Sequence, residues 1–262
     1  MTVTVGITTP DAIVLASDSR MTHHGPAGPR IMSDSSQKIF DVGRFGVATA
    51  GWAFIAENTI AGLMDQFLAQ SSDDAARDVN AFTNALGEFF HAYFAAYGVP
   101  PGETWNTEAR GFPLMFQVAG YDRQGIGHIY DVKIPGPQRT LLANTTTQRR
   151  TVWQGQTDVI DRLLNGVDWV QLRLPHGVAE EIQQRVVESL QSLAYIPLWP
   201  ATMQDAVDYA SFLIRTTIDM QRFSDGTAAA PGLIAGCGGP LQILVVERSG
   251  TRWATKPELR VA

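Results

Sequence analysis

Short apolar runs bounded by turn residues open the chain and predict β-strands. Thr9-Pro10-Asp11 separates the first two runs and Gly43-Arg44 separates the next two, so each pair predicts a hairpin. The Gly- and Pro-rich stretch His23–Arg30 lies between the hairpins and predicts a loop. The four predicted strands are Val3–Thr8, Ala12–Ser17, Lys38–Val42 and Phe45–Ala50.

The apolar spacing then changes to that of helices. Ala53–Gln70 and Asp73–Ala96 each place their apolar residues on one helical face, with Ser72 as the expected cap of the second helix. Loops are predicted at Val99–Gly111 and, as a flexible segment, at Ser224–Gly239. Further strands are predicted at Phe112–Tyr121, Gly127–Ile134, Arg139–Asn144, Leu241–Glu247 and Thr251–Thr255. Further helices are predicted at Val159–Leu164, His176–Leu193 and Asp205–Gln221.

The order of these elements differs from the regular alternation of a parallel sheet. Strands, helices, strands, helices and strands follow one another, which predicts an α+β protein with two antiparallel sheets between helix layers. No internal repeat, low-complexity segment or long linker divides the sequence. We therefore expect a single domain over residues 1–262.

Composition and charge exclude several classes of function. A content of 45% hydrophobic residues in 262 positions is ample for a large core, whereas the net charge of −6 argues against nucleic acid or an anionic membrane as partner. The single cysteine, Cys237, excludes an intramolecular disulfide and a multi-cysteine zinc site. No apolar run reaches the length of a membrane span and the start of the chain lacks signal-peptide features, so we expect a cytoplasmic location.

The common catalytic and cofactor motifs are absent from the sequence. It contains no G-x-G-x-x-G, Walker loop, H-E-x-x-H or G-x-S-x-G. The His23-His24 pair is more typical of a solvated loop than of a metal site, and His128 lies within a strand pattern. Cys237 has no adjacent histidine and is interpreted as a small buried residue. No metal ligand is assigned.

The start of the chain carries a candidate nucleophile. If Met1 is removed, Thr2 holds a hydroxyl and a free α-amine on one residue, and the amine can act as the base for the hydroxyl. An α-amine has a reference pKa of about 7.7–8.0, and a nearby ammonium would lower it. Lys38 is the only lysine in the N-terminal half, Asp18 could hold it by an ion pair, and Gly51 could offer its backbone N–H to an oxyanion.

Four sequence blocks around these residues carry a family resemblance. They are Thr2-Val3-Thr4-Val5-Gly6-Ile7, Val14-Leu15-Ala16-Ser17-Asp18-Ser19-Arg20, Gln37-Lys38-Ile39-Phe40 and Ala48-Thr49-Ala50-Gly51. Together they resemble the opening of a proteasome β-type subunit, with its T-x-x-V-G-I, A-x-D-x-R, K-I/L-F and A-G blocks. The resemblance is clear through Gly51 and looser beyond it. It implies an N-terminal-nucleophile (Ntn) hydrolase with a four-layer αββα sandwich, which cleaves peptide bonds without a cofactor.

The resemblance also implies the roles of individual residues. The implied catalytic positions are the nucleophile Thr2, the carboxylate Asp18, the ammonium Lys38 and the oxyanion donor Gly51. The implied substrate-binding positions are Thr22 and Ala53, which match positions that pair with the substrate backbone, and Thr49 in the specificity pocket. The implied partners are further copies of the chain in a ring or related oligomer and a peptide or unfolded-protein substrate, while a regulatory ATPase is left open.

The sequence departs from the family pattern near the expected amine. Gln154 stands in place of the first serine of the S-G-S motif. In the later D-x-x-S-G-G motif, Cys237 replaces the serine and Ile234 replaces the aspartate; Asp225 is then the candidate that supplies this carboxylate through a longer loop. The segment Asn165–Leu193 resembles an additional helical insertion. A divergent bacterial homologue therefore fits better than an ordinary proteasome subunit.

Three functions remain open at this point. The first is a threonine-type peptidase or amidohydrolase, and the second is a catalytically inactive, self-assembling scaffold like the α-type subunits of the family. Those subunits carry a helix before the first strand, whereas here Thr2 starts the strand directly. The third is an Ntn hydrolase that acts on a small amide. Retention of Met1 would leave the Thr2 hydroxyl without its base.

Overall fold

The computed structural model of the chain describes residues 2–26, 28–72, 78–168, 179–192, 200–227 and 230–256. The long strands are β1 (Val3–Thr8), β2 (Ile13–Ser17), β3 (Met21–Gly25), β4 (Gly28–Ser33), β5 (Ile39–Asp41), β6 (Gly46–Gly51), β9 (Leu114–Tyr121), β10 (Gly127–Ile134), β11 (Arg139–Asn144), β12 (Thr151–Gly155), β15 (Gln242–Glu247) and β16 (Gly250–Thr255). The two-residue strands are β7 (Phe54–Ile55), β8 (Asn58–Thr59), β13 (Gly226–Thr227) and β14 (Ala230–Pro231). The helices are α1 (Ile60–Gln70), α2 (Val79–Tyr97), α3 (Thr107–Arg110), α4 (Asp158–Asn165), α5 (Glu180–Gln191) and α6 (Met203–Arg222). None of the helices in these ranges is long and apolar enough to cross a membrane.

Two five-stranded antiparallel sheets form the centre of the described structure. One sheet has the strand order β12-β1-β2-β15-β16 and the other β11-β10-β9-β6-β5. In the first sheet Ser17 of β2 pairs with Thr4 of β1 on one side and with Gln242 of β15 on the other. The prediction of a mixed fold with antiparallel sheets and helices is confirmed.

The alternation of side chains along β2 shows that the first sheet is buried on both faces. Ile13 and Leu15 pack in a core that contains residues of both sheets, whereas Val14 and Ala16 pack in a core shared with α4 and α6. All five residues of β2 are buried. A register shift of one residue would exchange these two sets, so the pairing with β1 and β15 is strongly specified.

Helices α1 and α2 cover the second sheet with an aromatic core. The rings of Phe67, Phe82 and Phe90 are buried there, and Phe90 lies 4.6 Å from Phe116 of β9 between ring centroids. Aromatic rings bury large apolar areas, so this core is a main source of the stability of the sheet that carries β5 and β6.

The prediction that the first helix begins at Ala53 is wrong. Residues 54–59 form the small β7–β8 hairpin, with Ala56 at a φ of 52°, and the helix begins at Ile60. The Thr59 hydroxyl accepts the Gly62 N–H at 3.0 Å and caps the helix. The apolar spacing continues through Ile55 and therefore does not reveal the turn.

The second helix begins later than the sequence suggested. Its N-cap is Asp78 rather than Ser72, because the Asp78 carboxylate accepts the N–H groups of Asn80 and Ala81 at 2.8 and 3.1 Å. Burial raises the pKa of Asp78, but these hydrogen bonds outweigh burial and hold it below its usual value. Residues 73–77 of the predicted helix lie outside the described residues.

Three predicted loops contain regular structure. The segment His23–Arg30 belongs to the β3–β4 hairpin, Val99–Gly111 contains α3, and Ser224–Gly239 contains the β13–β14 pair. Strand β12 was not predicted, although it pairs with β1, the strand that follows Thr2. Within the predicted insertion Asn165–Leu193, α5 has no buried side chain, and residues 169–178 and 193 lie outside the described residues.

Candidate active site

A pocket of about 590 Å³ is lined by residues next to strands of both five-stranded sheets. Thr2 precedes β1 in the first sheet, and Lys38 precedes β5 in the second. The pocket contains most of the residues singled out from the sequence: Thr2, Thr22, Lys38, Thr49, Gly51 and Ala53. Residues far apart in sequence are thus brought to one place.

Asp18 lies behind the pocket as a fully buried anion. One carboxylate oxygen accepts the Lys38 ammonium at 2.8 Å and the Val3 N–H at 3.1 Å. The other accepts the backbone N–H groups of Arg20 and Gly238 at 3.1 and 3.0 Å. A buried charge is tolerated only when it is paired and hydrogen-bonded, and these four donors meet that requirement. Asp18 therefore holds Lys38 at the wall of the pocket.

Thr2 is held through its main chain. Its side chain is buried, its carbonyl accepts the Gln156 N–H at 2.7 Å, and the next residue, Val3, is bound to Asp18. Gly155 has a φ of +90°, and a Cβ on it would lie 1.9 Å from the Thr2 carbonyl oxygen. Only glycine allows β12 to approach Thr2 this closely.

Gly51 occupies a position that also requires glycine. Its φ is +107°, and a Cβ would lie 2.2 Å from the Pro113 carbonyl oxygen. The same carbonyl accepts the Trp52 N–H at 2.7 Å and fixes the chain where it leaves β6. The absence of a side chain thus allows the close approach of Pro113, and Gly51 itself lines the pocket.

The three expected substrate-binding residues line the pocket on different elements. Thr22 lies in β3, Ala53 lies just before β7 and accepts the Ile60 N–H through its carbonyl at 3.0 Å, and Thr49 lies in β6. The Thr49 N–H donates to the Lys38 carbonyl at 2.9 Å. Its buried hydroxyl has no hydrogen-bond partner among the residues that the structure describes.

Arg20 adds a second charged pair at the pocket. Its Nε and Nη2 atoms lie 2.7 and 2.9 Å from the two carboxylate oxygens of Asp34. This hydrogen bonding raises the pKa of Arg20 and lowers that of Asp34. The pair is partly exposed, so it contributes little to stability but fixes the guanidinium at the pocket wall.

Asp225 and Gln154 are not among the described residues that line this pocket. Asp225 is exposed after α6, its carbonyl accepts the Gly232 N–H at 2.9 Å, and it is not among the described residues that line the pocket. The Gln154 side chain donates to Asp131 of β10. The residue that binds the main chain of Thr2 is Gln156, two positions later.

Cys237 is a buried thiol that contacts this region. Its Sγ lies 3.2 Å from the side-chain oxygen of Gln156, and its N–H donates to Gln221 at 2.8 Å. Burial raises the pKa of the Cys237 thiol well above its usual range. A neutral, buried thiol is a poor nucleophile, which agrees with the interpretation of Cys237 as a small buried residue.

Sequence reasoning missed two glutamines that contact site residues. Gln156 follows the unpredicted strand β12, and no motif marked its backbone N–H. Gln242 is fully buried at the start of the apolar strand β15, and its side chain binds the segment that carries Lys38. The sequence does carry a signal for Gln242, because a polar residue in a run of buried apolar residues requires hydrogen-bond partners.

The arrangement brings together groups that acyl transfer can use. A hydroxyl residue, a buried ammonium and a glycine at the end of a strand line one cavity. In the described ranges no cluster of three or more His, Cys, Asp or Glu side chains could hold a metal ion.

Comparison with solved structures shows a shared fold. A Gly-1 mutant of Anbu from Hyphomicrobium sp. strain MC1 matches with a TM-score of 0.57 and 13% identity over 97% of this chain and 86% of that one. Anbu from Yersinia bercovieri, an ancestral beta-subunit, matches with a TM-score of 0.54 and 11% identity over 97% of this chain and 87% of that one. No protein-family model matches the sequence. The chain thus shares its fold with these Anbu subunits, at low sequence identity.

Proposed function

We propose that the chain is an N-terminal-nucleophile hydrolase that cleaves amide bonds with Thr2 after removal of Met1. The observation that carries the proposal is the pocket that Thr2 and Lys38 both line, with the Lys38 ammonium bound at 2.8 Å to the fully buried Asp18. A buried ion pair is expensive to maintain, so its presence beside a hydroxyl residue favours a catalytic role over a structural one.

The proposed reaction uses the chain's own groups. The Thr2 hydroxyl oxygen attacks the amide carbonyl and forms an ester bond, while its α-amine takes the hydroxyl proton and passes it to the leaving amine. Lys38 stabilises the developing alkoxide, and the Gly51 N–H binds the oxyanion of the tetrahedral intermediate. Water then hydrolyses the ester and restores Thr2. Thr22, Ala53 and Thr49 contact the substrate.

The proposal extends to architecture and assembly. The three hydrophobic cores, one with α1 and α2, one containing residues of both sheets and one with α4 and α6, support a four-layer αββα order in one domain. The likeness to Anbu supports a proteasome-like subunit. We infer that this subunit assembles with copies of itself and acts on a peptide or unfolded-protein substrate. We place the protein in the cytoplasm. Asp225 stays a candidate for the carboxylate near the amine.

Intact mass and covalent labelling test the proposal. The purified chain should lack one methionine, and a peptide epoxyketone, which reacts with both groups of an N-terminal threonine, should add one equivalent. Thr2→Ala should abolish labelling, and the matched Thr2→Ser should retain part of it. Retained Met1 with no labelling would instead favour the inactive scaffold, and labelling of Thr2→Ala would overturn the assignment of the nucleophile.

The role of Lys38 has a separate test. Lys38→Ala should slow the acylation step strongly and leave the affinity for the peptide almost unchanged, because the ammonium acts on the reacting atoms. The rate of inactivation and the half-saturating concentration are measured separately with the same epoxyketone. An effect on affinity alone would contradict the proposed role.

A further inference from the structure

A fully buried glutamine lies between the two sheets next to the site. Gln242 opens β15, and its side-chain oxygen accepts the N–H groups of Lys38 and Ile39 at 3.0 and 3.1 Å. Its side-chain nitrogen donates to the Ser36 carbonyl at 2.6 Å. One amide group thus makes three hydrogen bonds to the backbone on both sides of Lys38. These contacts hold the chain segment, not the Lys38 side chain itself.

The main chain of Gln242 pairs with strand β2, which ends just before Asp18. Gln242 pairs with Ser17 in the β2–β15 ladder, and Asp18 is the next residue after Ser17. Gln242 therefore contacts the Asp18 strand through its backbone and the Lys38 segment through its side chain. The Lys38 carbonyl is fixed from the other side by the Thr49 N–H at 2.9 Å.

We infer that Gln242 is a positioning residue that sets the distance between Lys38 and Asp18, and thereby places the Lys38 ammonium at Thr2. The inference rests on the function proposed above. Without the amide, the buried N–H groups of Lys38 and Ile39 lose their acceptor, and the segment must move to regain one. A shift of this segment moves the ammonium away from both the carboxylate and the nucleophile.

A second buried glutamine provides a matched control. Gln117 of β9 is also fully buried, but neither side-chain amide atom has a hydrogen-bond partner among the described residues. Gln242→Met and Gln117→Met remove the same atoms from the interior of the protein. Only Gln242→Met removes bonds to the segment that carries Lys38.

The experiment measures inactivation by a peptide epoxyketone in both variants from about pH 6 to 9, a range that brackets the titration of an α-amine. For Gln242→Met we expect inactivation at a saturating concentration of the epoxyketone to be about 10²-fold slower, the effect expected when a catalytic group is misplaced by about 1 Å. The half-saturating concentration of the epoxyketone should change little. The midpoint of the pH profile should move upward, because a displaced cation no longer favours the neutral amine. Gln117→Met should retain the rate and the midpoint of the unmodified chain.

Amide hydrogen exchange gives a readout that does not depend on activity. Peptides covering Lys38 and Ile39 should be protected in the unmodified chain and in Gln117→Met, and should exchange faster in Gln242→Met. If Gln242→Met does not fold, Gln242→Asn replaces it, since its shorter amide cannot reach both N–H groups.

The outcomes separate this inference from the proposed function. Absence of labelling in the unmodified chain would overturn the proposed function, and exchange would then decide whether Gln242 holds the segment. Unchanged protection in the Gln242 variant would overturn the inference. So would equal slowing of inactivation in the two methionine variants, or slowing without a shift of the pH midpoint.

Discussion

Replacing Asp18 by asparagine tests whether the buried ion pair is as costly to break as its environment indicates. In Asp18→Asn one oxygen of the side chain becomes an NH2 group. This group is a donor and faces two donors whose hydrogen bonds the carboxylate oxygen had accepted. Lys38, of which 5% is exposed, loses the carboxylate that binds its ammonium at 2.8 Å. Removal of one partner of a buried pair costs about 3–5 kcal/mol. For a chain of this size that corresponds to a decrease of about 6–20 °C in melting temperature.

The assay is urea and thermal unfolding at neutral pH, with Asp34→Asn as the matched control. Asp34 also pairs with a cation, but 45% of its side chain is exposed, so its loss should cost less than about 1 kcal/mol. The double variant Asp18→Asn with Lys38→Met should recover part of the stability, since it leaves no unpaired charge. If Asp18→Asn is no more destabilised than Asp34→Asn, the reasoning about the buried carboxylate is wrong.

Three further predictions follow from other residues. Gly51→Ala should be destabilised and lose labelling, because its Cβ would lie 2.2 Å from a carbonyl oxygen. The control Gly28→Ala has a similar φ of +99° and open space around it, so it should be destabilised by backbone strain alone. Equal melting temperatures of the two variants would contradict this. Native Cys237 should react with iodoacetamide far more slowly than the urea-unfolded chain, because burial raises the pKa of its thiol, and equal rates would refute the interpretation. Asp78→Ala should lower the free energy of unfolding by about 0.5–2 kcal/mol in urea at pH 7. Since the pKa of Asp78 is lowered in the folded state, this stabilisation is present above a pH of about 4 and is lost as the pH falls below it, so the variant and the unmodified chain should converge in acid.

Much of the fold could be predicted from local patterns. Strands β1, β10 and β11 have the predicted bounds. In β1 and β10 the apolar residues are buried as the pattern indicates, whereas Leu141 of β11 is exposed. The start of α1 could not be predicted, because the apolar spacing extends through the β7–β8 hairpin. Strand β12 was missed because its pairing with β1 is a long-range contact that leaves little local signal.

The candidate site could likewise be predicted only in part from the sequence. The side chains expected to meet, Asp18 and Lys38, form an ion pair, since their types and order in the chain carried the signal. Thr2, Asp18 and Lys38 are held in place by hydrogen bonds with Gln156, Gly238 and Gln242. Each of these bonds involves a backbone group and joins residues far apart in the sequence. A single sequence does not display such partners. The role of Asp225, which was chosen by its position in a loop, stays a prediction.

The distribution of the site over two sheets has a consequence for newly made protein. Thr2 and Asp18 flank strands β1 and β2 of one sheet, whereas Lys38 precedes β5 and Gly51 ends β6 in the other. A chain that has formed only one sheet during synthesis brings neither the ammonium nor the glycine turn to the hydroxyl. For the hydrolase proposed above, docking of the two sheets is then the folding step that brings the catalytic groups together.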